Sequence, residues 1–169
     1  MNIYLIWLLR IIHIFAGVVW VGGTLVITFF IAPAAAATAD AGQKFMSQLM
    51  FTMKFGQKMA AAAGLTILAG GLLYWNDMSG SSLWASSGAG RGFGIGAAFA
   101  VIGFVFGILV GRTTRAMAEL GAQFQGKPSD AQMAQMQKLQ KQQGVYSKTA
   151  SATLIIAVIF MSIARYFVF

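Results

Sequence analysis

Residues 3–32 place the strongest constraint on the fold, because they are apolar almost throughout. Arg10 and His13 are their only basic side chains, and the stretch contains no carboxylate. About 20 apolar residues are enough for a helix to cross a bilayer. The stretch therefore predicts a membrane span with length to spare. We expect this helix to end near Ala32, because Pro33 cannot continue the backbone hydrogen bonding.

The composition extends this conclusion to the whole chain. Of its 169 residues, 58% are hydrophobic and only 9% are charged, whereas soluble domains carry about 25% charged residues. We expect an all-α polytopic membrane protein, a single four-transmembrane-helix bundle over residues 1–169, with spans at about 3–32, 57–76, 93–112 and 148–169. Cysteine is absent, which excludes disulfides, thiolate metal sites and cysteine catalysis.

Two amphipathic cytoplasmic helix extensions are expected outside the spans. One covers residues 41–58 and continues into the second span without a break, and the other leads into the fourth span. Both carry methionines on one helical face: Met46, Met50 and Met53 on the first, Met133 and Met136 on the second. Thioethers can bind Cu(I), but no histidine or cysteine accompanies them. The pattern favours an apolar seam where the two extensions pack together.

Basic residues orient the chain. Nine of them lie in the segments after spans one and three: Lys44, Lys54, Lys58, Arg112, Arg115, Lys127, Lys138, Lys141 and Lys148. Three lie on the opposite side, Arg10, Arg91 and Arg165. The positive-inside rule then places the termini outside a bacterial inner (plasma) membrane. The net charge of +8 is interpreted as contact with the lipid bilayer and not with nucleic acid.

A stripe of non-aliphatic residues runs along the first span. At about 100° per residue, one side of the helix carries Arg10, His13, Gly17, Trp20 and Thr24. We expect this side to face the bundle, because polar groups are costly in lipid. The imidazole of His13, the only histidine, can ligate haem iron or copper. The alternative is a neutral histidine that hydrogen-bonds within the bundle, to a threonine or a backbone carbonyl.

The candidate cofactor site is built around His13, which is also the candidate metal ligand. Haem b is considered first and copper second. A six-coordinate haem needs a second ligand, either Met161 on the fourth span or His13 of another subunit. Arg10 and Arg165 lie near the outer ends of their spans and could neutralise haem propionates or lipid phosphates. Alternatively, these long side chains reach out to interfacial water.

Glycines mark one side of the third span: Gly96, Gly103, Gly107 and Gly111. Small residues at such spacing let two helices approach closely. The pattern predicts helix packing, either within the bundle or between the subunits of a homo-oligomer or membrane complex.

Three segments resemble known proteins: RIIHIFAGVVWVGG, LTILAGGLLYW, and a PSDAQMAQMQKLQ helix that leads to MSIARYF. Together they are similar to bacterial four-span proteins of unknown function related to the copper-resistance D (CopD) membrane domain. The first segment also resembles HemJ-type protoporphyrinogen oxidases, a four-span family that binds haem. The pattern of that family maps onto Arg10, His13 and Trp20, while its later histidine–lysine element has no counterpart here.

Two functional hypotheses follow. In the first, the protein is CopD-like and performs redox or metal-handling chemistry through His13, in the outer half of the membrane, with Arg10, Trp20 and Arg165 around the cofactor. In the second, it is a non-enzymatic accessory or interaction subunit of a membrane complex. Neither hypothesis identifies a substrate or a catalytic residue.

Overall fold

The computed structural model describes residues 1–81, 83–124 and 126–168, and every regular element in these ranges is helical. We number the helices α1 (Ile3–Ala37), α2 (Ala39–Ser47), α3 (Phe55–Gly80), α4 (Gly88–Ala122) and α5 (Asp130–Ile163). Short 3-10 turns cover Trp84–Ser86 and Ala164–Tyr166. Helices α1, α3, α4 and α5 are long and apolar enough to cross a membrane. This confirms the all-α, four-span prediction, and the chain is a multi-pass membrane protein.

Helix α1 continues through Pro33 to Ala37, so the expected end near Ala32 is wrong. A π-helical turn, Ile27–Ile31, lies directly before the proline, and the Ala32 amide bonds to the carbonyl of Ile27. In a regular α-helix a proline ring clashes with the carbonyl four residues earlier. The wider π turn changes the backbone at that point and lets the helix pass the proline.

Helix α2 and the π turn after it are separate from α1 and α3, because the chain turns sharply at Ala39 and again at Lys54. Ala39 and Lys54 have positive φ angles of 46° and 54°, and a second π turn, Gln48–Thr52, follows α2. The predicted continuous helix from the first extension into the second span is therefore wrong at Lys54. A Cβ on the buried Gly42 would collide with the carbonyl of Ala35. This close approach lays α2 back along the end of α1.

The four spans form two antiparallel pairs, α1 with α3 and α4 with α5, which meet around Trp20. The Trp20 side chain is 4% exposed and packs with Ala62, Ala63 and Leu154. Its ring lies edge-on to Phe104, with 6.3 Å between the ring centroids. This cluster is the shared core that holds the two pairs in one bundle.

Glycines of α4 make the contact with α5. A Cβ on Gly103 would lie 2.8 Å from Leu154 Cδ2, and one on Gly96 would lie 3.2 Å from Met161 Cε. Gly107 and Gly111 are exposed, and a Cβ on either would meet nothing within 4 Å. The predicted glycine side is thus divided: Gly96 and Gly103 pack within the chain, whereas Gly107 and Gly111 are open.

Beyond the core, α4 and α5 continue side by side as the second extension. The Gln143 amide donates to Thr114 Oγ1 at 2.7 Å. Ser129 and Gln132 form a complete capping box at the start of α5, as their spacing predicts. The predicted methionine seam is wrong, because α2 and its π turn do not contact α5. Met46 and Met50 are half-buried in the segment that folds back along α1.

Candidate functional site

His13 is a half-buried residue of α1. Its imidazole lies against the backbone of α3. Its Nδ1 is 2.8 Å from the carbonyl oxygen of Thr66. A carbonyl oxygen only accepts hydrogen bonds, so Nδ1 is the donor and carries the hydrogen. This is the backbone-carbonyl partner that the sequence left open as one alternative.

The contact depends on Gly70, one turn beyond Thr66. A Cβ at Gly70 would lie 2.6 Å from Cε1 and 2.8 Å from Nδ1 of the His13 ring. The missing side chain therefore makes room for the imidazole and exposes the Thr66 carbonyl to it. The Thr66 hydroxyl donates to the carbonyl of Ala62, so it does not compete for the imidazole.

The hydrogen bond determines what the other ring nitrogen can do. In the neutral imidazole, a donor Nδ1 leaves Nε2 with a free lone pair. Within residues 1–81, 83–124 and 126–168, Nε2 makes no hydrogen bond. Metal-ligating histidines commonly donate the hydrogen on their second nitrogen to a carbonyl or carboxylate. His13 is therefore held in the tautomer and orientation of a ligand that binds through Nε2.

Most of the predicted stripe faces the bundle. The position of a Cβ on Gly17 is 3.6 Å from Thr66 Cγ2, and Trp20 is in the shared core. Thr24 is half-buried and donates to the carbonyl of Trp20. Trp20 is buried and packs against α3. This packing helps to hold α1 in position along α3 beside His13.

The two predicted arginines lie apart from this interface. Arg10 is exposed on α1, and Arg165 is exposed in the 3-10 turn Ala164–Tyr166. Neither forms an ion pair with Asp77 or another carboxylate in the described part of the chain; the Asp77 carboxylate accepts from Asn76. The structure places His13 and Trp20 of α1 against α3 and leaves both arginines at the surface.

A complete ligand set is not assembled in the described residues. They contain no group of three histidine, cysteine or acidic side chains that could hold a metal ion. The Met161 side chain packs against Gly96, so its use as a ligand would require breaking that contact. The single imidazole fits one side of a haem iron or one position on a copper ion. The remaining ligands would have to come from another subunit or from a rearrangement of this bundle.

Gly70 and Thr66 are the site residues that sequence analysis missed. The signal was the glycine pair Gly70-Gly71 inside an apolar span. Only one of the pair makes a contact: a Cβ on Gly71 would meet nothing within 4 Å. We call the contact of His13 with Thr66 and Gly70 the histidine seat. It depends on Gly70 and not on the adjacent glycine.

We expect Gly70→Ala to displace the imidazole and destabilise the protein by about 1–3 kcal/mol, the usual range for overpacking or for an unpaired buried polar group. Gly71→Ala is the matched control, and it should be neutral or stabilising by up to about 1 kcal/mol, because alanine favours the helix. Because the chain has one histidine, the imidazole ¹⁵N resonances report Nδ1 directly. Identical spectra for the two variants would contradict the contact.

No family model matches the sequence, and neither a curated protein nor a solved structure matches it.

Proposed function

We propose that the protein binds a redox cofactor or metal ion through Nε2 of His13 and serves membrane redox or metal-handling chemistry. One observation carries the proposal: the Nδ1 hydrogen bond to Thr66 in a seat opened by Gly70. An ionisable side chain inside a span is itself a marker of function. The resemblance of residues 10–23 to haem-binding and CopD-like membrane proteins supports the same assignment.

Haem b is the first candidate cofactor and copper the second. Either would supply one-electron chemistry when bound. His13 would be the ligand from this chain, and His13 of another subunit would complete a haem site. Arg10 lies one turn from His13, is exposed and has no ion-pair partner among the described residues, so it is free to meet an anionic group at the edge of the cofactor. Arg165 is available in the same way, at the outer end of α5.

The test is an absorption spectrum and a metal analysis of protein purified from cells supplied with haem precursor and copper. We expect a Soret band, or stoichiometric copper, in the wild type and its complete loss in His13→Ala. Arg10→Ala should retain the bound group with weaker affinity. Gly71→Ala is the control and should behave as the wild type. A wild-type protein that carries neither haem nor copper would overturn the proposal for these cofactors.

The second candidate function is that of an accessory or interaction subunit. It is favoured by the open positions Gly107 and Gly111, where a partner helix or a second copy could approach closely. A colourless, metal-free protein isolated as an oligomer or with a partner would favour this function over the first.

For localisation, we propose a bacterial inner membrane with the termini outside. The proposal is supported by the distribution of basic residues, nine in the segments after the first and third spans against three on the opposite side. A reporter that is active only in the periplasm should work when fused to the C-terminus and fail when inserted beside Lys127. The reverse result would move His13 to the cytoplasmic half of the bilayer.

A further inference from the structure

One face of α5 is closed at the core and open beyond it. At the core, Ser151 and Leu154 are 0% and 1% exposed. Towards the start of α5, the helix also contacts the π turn of α1. In the other direction, one turn after Leu154 and on the same face, Val158 is 49% exposed. The neighbouring helices therefore cover this face at the core and leave it open one turn further on.

Helix α1 shows the same change along its length. Val21 packs against the core cluster. Ile14 lies about two turns before it on the same face and is 60% exposed. The faces of α1 and α5 that approach each other at the core thus separate towards the end of the bundle where α1 begins and α5 ends. We call the space between Ile14 and Gly17 of α1 and Val158 of α5 the α1–α5 crevice.

Each of the two helices carries an arginine at the mouth of the α1–α5 crevice. Arg10 lies about three turns before Val21, and Arg165 lies about three turns after Leu154, so each falls on the face that lines the crevice. Three turns rise about 16 Å, roughly half the thickness of a hydrocarbon core of about 30 Å. Both arginines are therefore near the membrane surface when the core cluster lies at mid-bilayer.

The charge at this mouth is positive. Arg10 and Arg165 are exposed, and neither has an ion-pair partner among the described residues. Asp77 is the only acidic side chain at this end of the bundle, and its carboxylate accepts from Asn76. Guanidinium groups bind phosphate through paired hydrogen bonds. Two guanidinium groups above apolar walls match a ligand that has a phosphate at one end and an apolar chain at the other.

We propose that the α1–α5 crevice binds an anionic phospholipid from the membrane leaflet at this end. One acyl chain lies between Ile14 and Val158, and Arg10 and Arg165 bind the phosphate. The lipid thereby fills the space between the two helix pairs where they separate. The site does not require a cofactor, because the imidazole of His13 lies against α3 and not against α5.

Native mass spectrometry of the full-length protein, released from vesicles of phosphatidylcholine and phosphatidylglycerol, measures the retained lipid. Arg10→Gln and Arg165→Gln are the test variants. Arg91→Gln is the matched control, because Arg91 is an exposed arginine at the same end of the bundle, on α4. We expect each test variant to bind phosphatidylglycerol roughly fivefold more weakly, the factor equivalent to about 1 kcal/mol per basic residue. Arg91→Gln should bind it as the wild type does.

A second pair of variants tests the apolar wall. Val158→Trp places a large ring in the crevice and should lower the retention of phosphatidylglycerol. Ile159→Trp is its control, because Ile159 is equally exposed but points about 100° away from the crevice, and it should leave retention unchanged. Inorganic phosphate should not displace the lipid, because it offers no chain to the crevice.

Four results would overturn the lipid site. Unchanged retention in both Arg10→Gln and Arg165→Gln would show only unspecific boundary lipid. Displacement by inorganic phosphate would show a site for phosphate alone. A dimer without lipid would show that a second copy covers the crevice. In the cysteine-free chain, a disulfide between Ile14→Cys and Val158→Cys would show that the two helices meet there.

The site can fail or stand separately from the proposed function. His13→Ala should lose any bound cofactor and still retain phosphatidylglycerol. If His13→Ala loses the lipid although it is folded, the lipid depends on the cofactor site and the independent crevice is wrong.

Discussion

Trp20→Ala should destabilise the folded protein by about 3 kcal/mol, near the lower end of the range for removing a buried aromatic side chain. The side chain is 4% exposed and joins both helix pairs through Ala63, Leu154 and Phe104. In lipid there is little hydrophobic drive between apolar helices. The loss therefore comes from van der Waals contacts and from the cavity that is left, so it falls at the lower end of that range.

Trp7→Ala is the matched control for this measurement. It removes the same side chain from the same helix, but Trp7 is 56% exposed, so we expect a change within about 0.5 kcal/mol. Reversible unfolding in bicelles measures both variants against the wild type. Equal effects of the two would contradict the core. Loss of a bound cofactor from Trp20→Ala at unchanged stability would move Trp20 from the core to the site.

Gly103→Leu should separate α4 from α5, with a loss of about 1–3 kcal/mol or more, because overpacking a closed interface forces the backbone to shift. Already at the Cβ, the new side chain would lie 2.8 Å from Leu154 Cδ2 and 3.1 Å from Thr153 Oγ1. Leu154 is 1% exposed, so its side chain is enclosed by the rest of the bundle.

Gly107→Leu, one turn further along α4, provides the contrast. A Cβ there would meet nothing within 4 Å, and leucine favours the helix over glycine by up to about 1 kcal/mol. Its stability should equal or exceed that of the wild type when the protein is monomeric. Unfolding and size measurements on the same samples separate two effects: loss of an oligomer in Gly107→Leu alone would identify this surface as a subunit contact.

The spans could be predicted because length and apolar character alone make a helix stable across a bilayer. The helix ends could not. The third span is predicted to begin at about residue 93, because the glycines before it disfavour a helix, but α4 begins at Gly88. In the structure Gly88 and Gly92 lie in α4, where their lack of a Cβ permits contact with the 3-10 turn and the residues after it. The reversal at Lys54 requires a left-handed backbone that lysine adopts only in its tertiary setting.

The sequence predicts which face of α1 carries the site. It does not predict which residues of α3 this face contacts. The period of α1 places His13, Gly17 and Trp20 on one side, and all three face α3 or the core. The imidazole contacts Thr66 and Gly70 because of how far α3 is shifted along α1. No local sequence pattern encodes that shift. Arg10 shares the period with His13, but it is at the surface, because a long cationic side chain is stabilised by reaching water.

The π turn at Ile27–Ile31 holds one more residue than a turn of α-helix. It lies between the contact of His13 with Thr66 and the segment 32–52, which folds back along α1. Each α-helical residue advances the chain by about 100°. Deleting Phe29 would restore α-helical spacing and leave residues 32–52 close to their present orientation, because five residues of the wide π turn rotate the chain about as far as four α-helical residues. The contact between His13 and Thr66 lies upstream and would keep its orientation. One deletion among these five residues would therefore keep residues 32–52 oriented as they are, whereas one deletion in the regular part of α1 after His13 would rotate them by about 100° relative to the histidine seat.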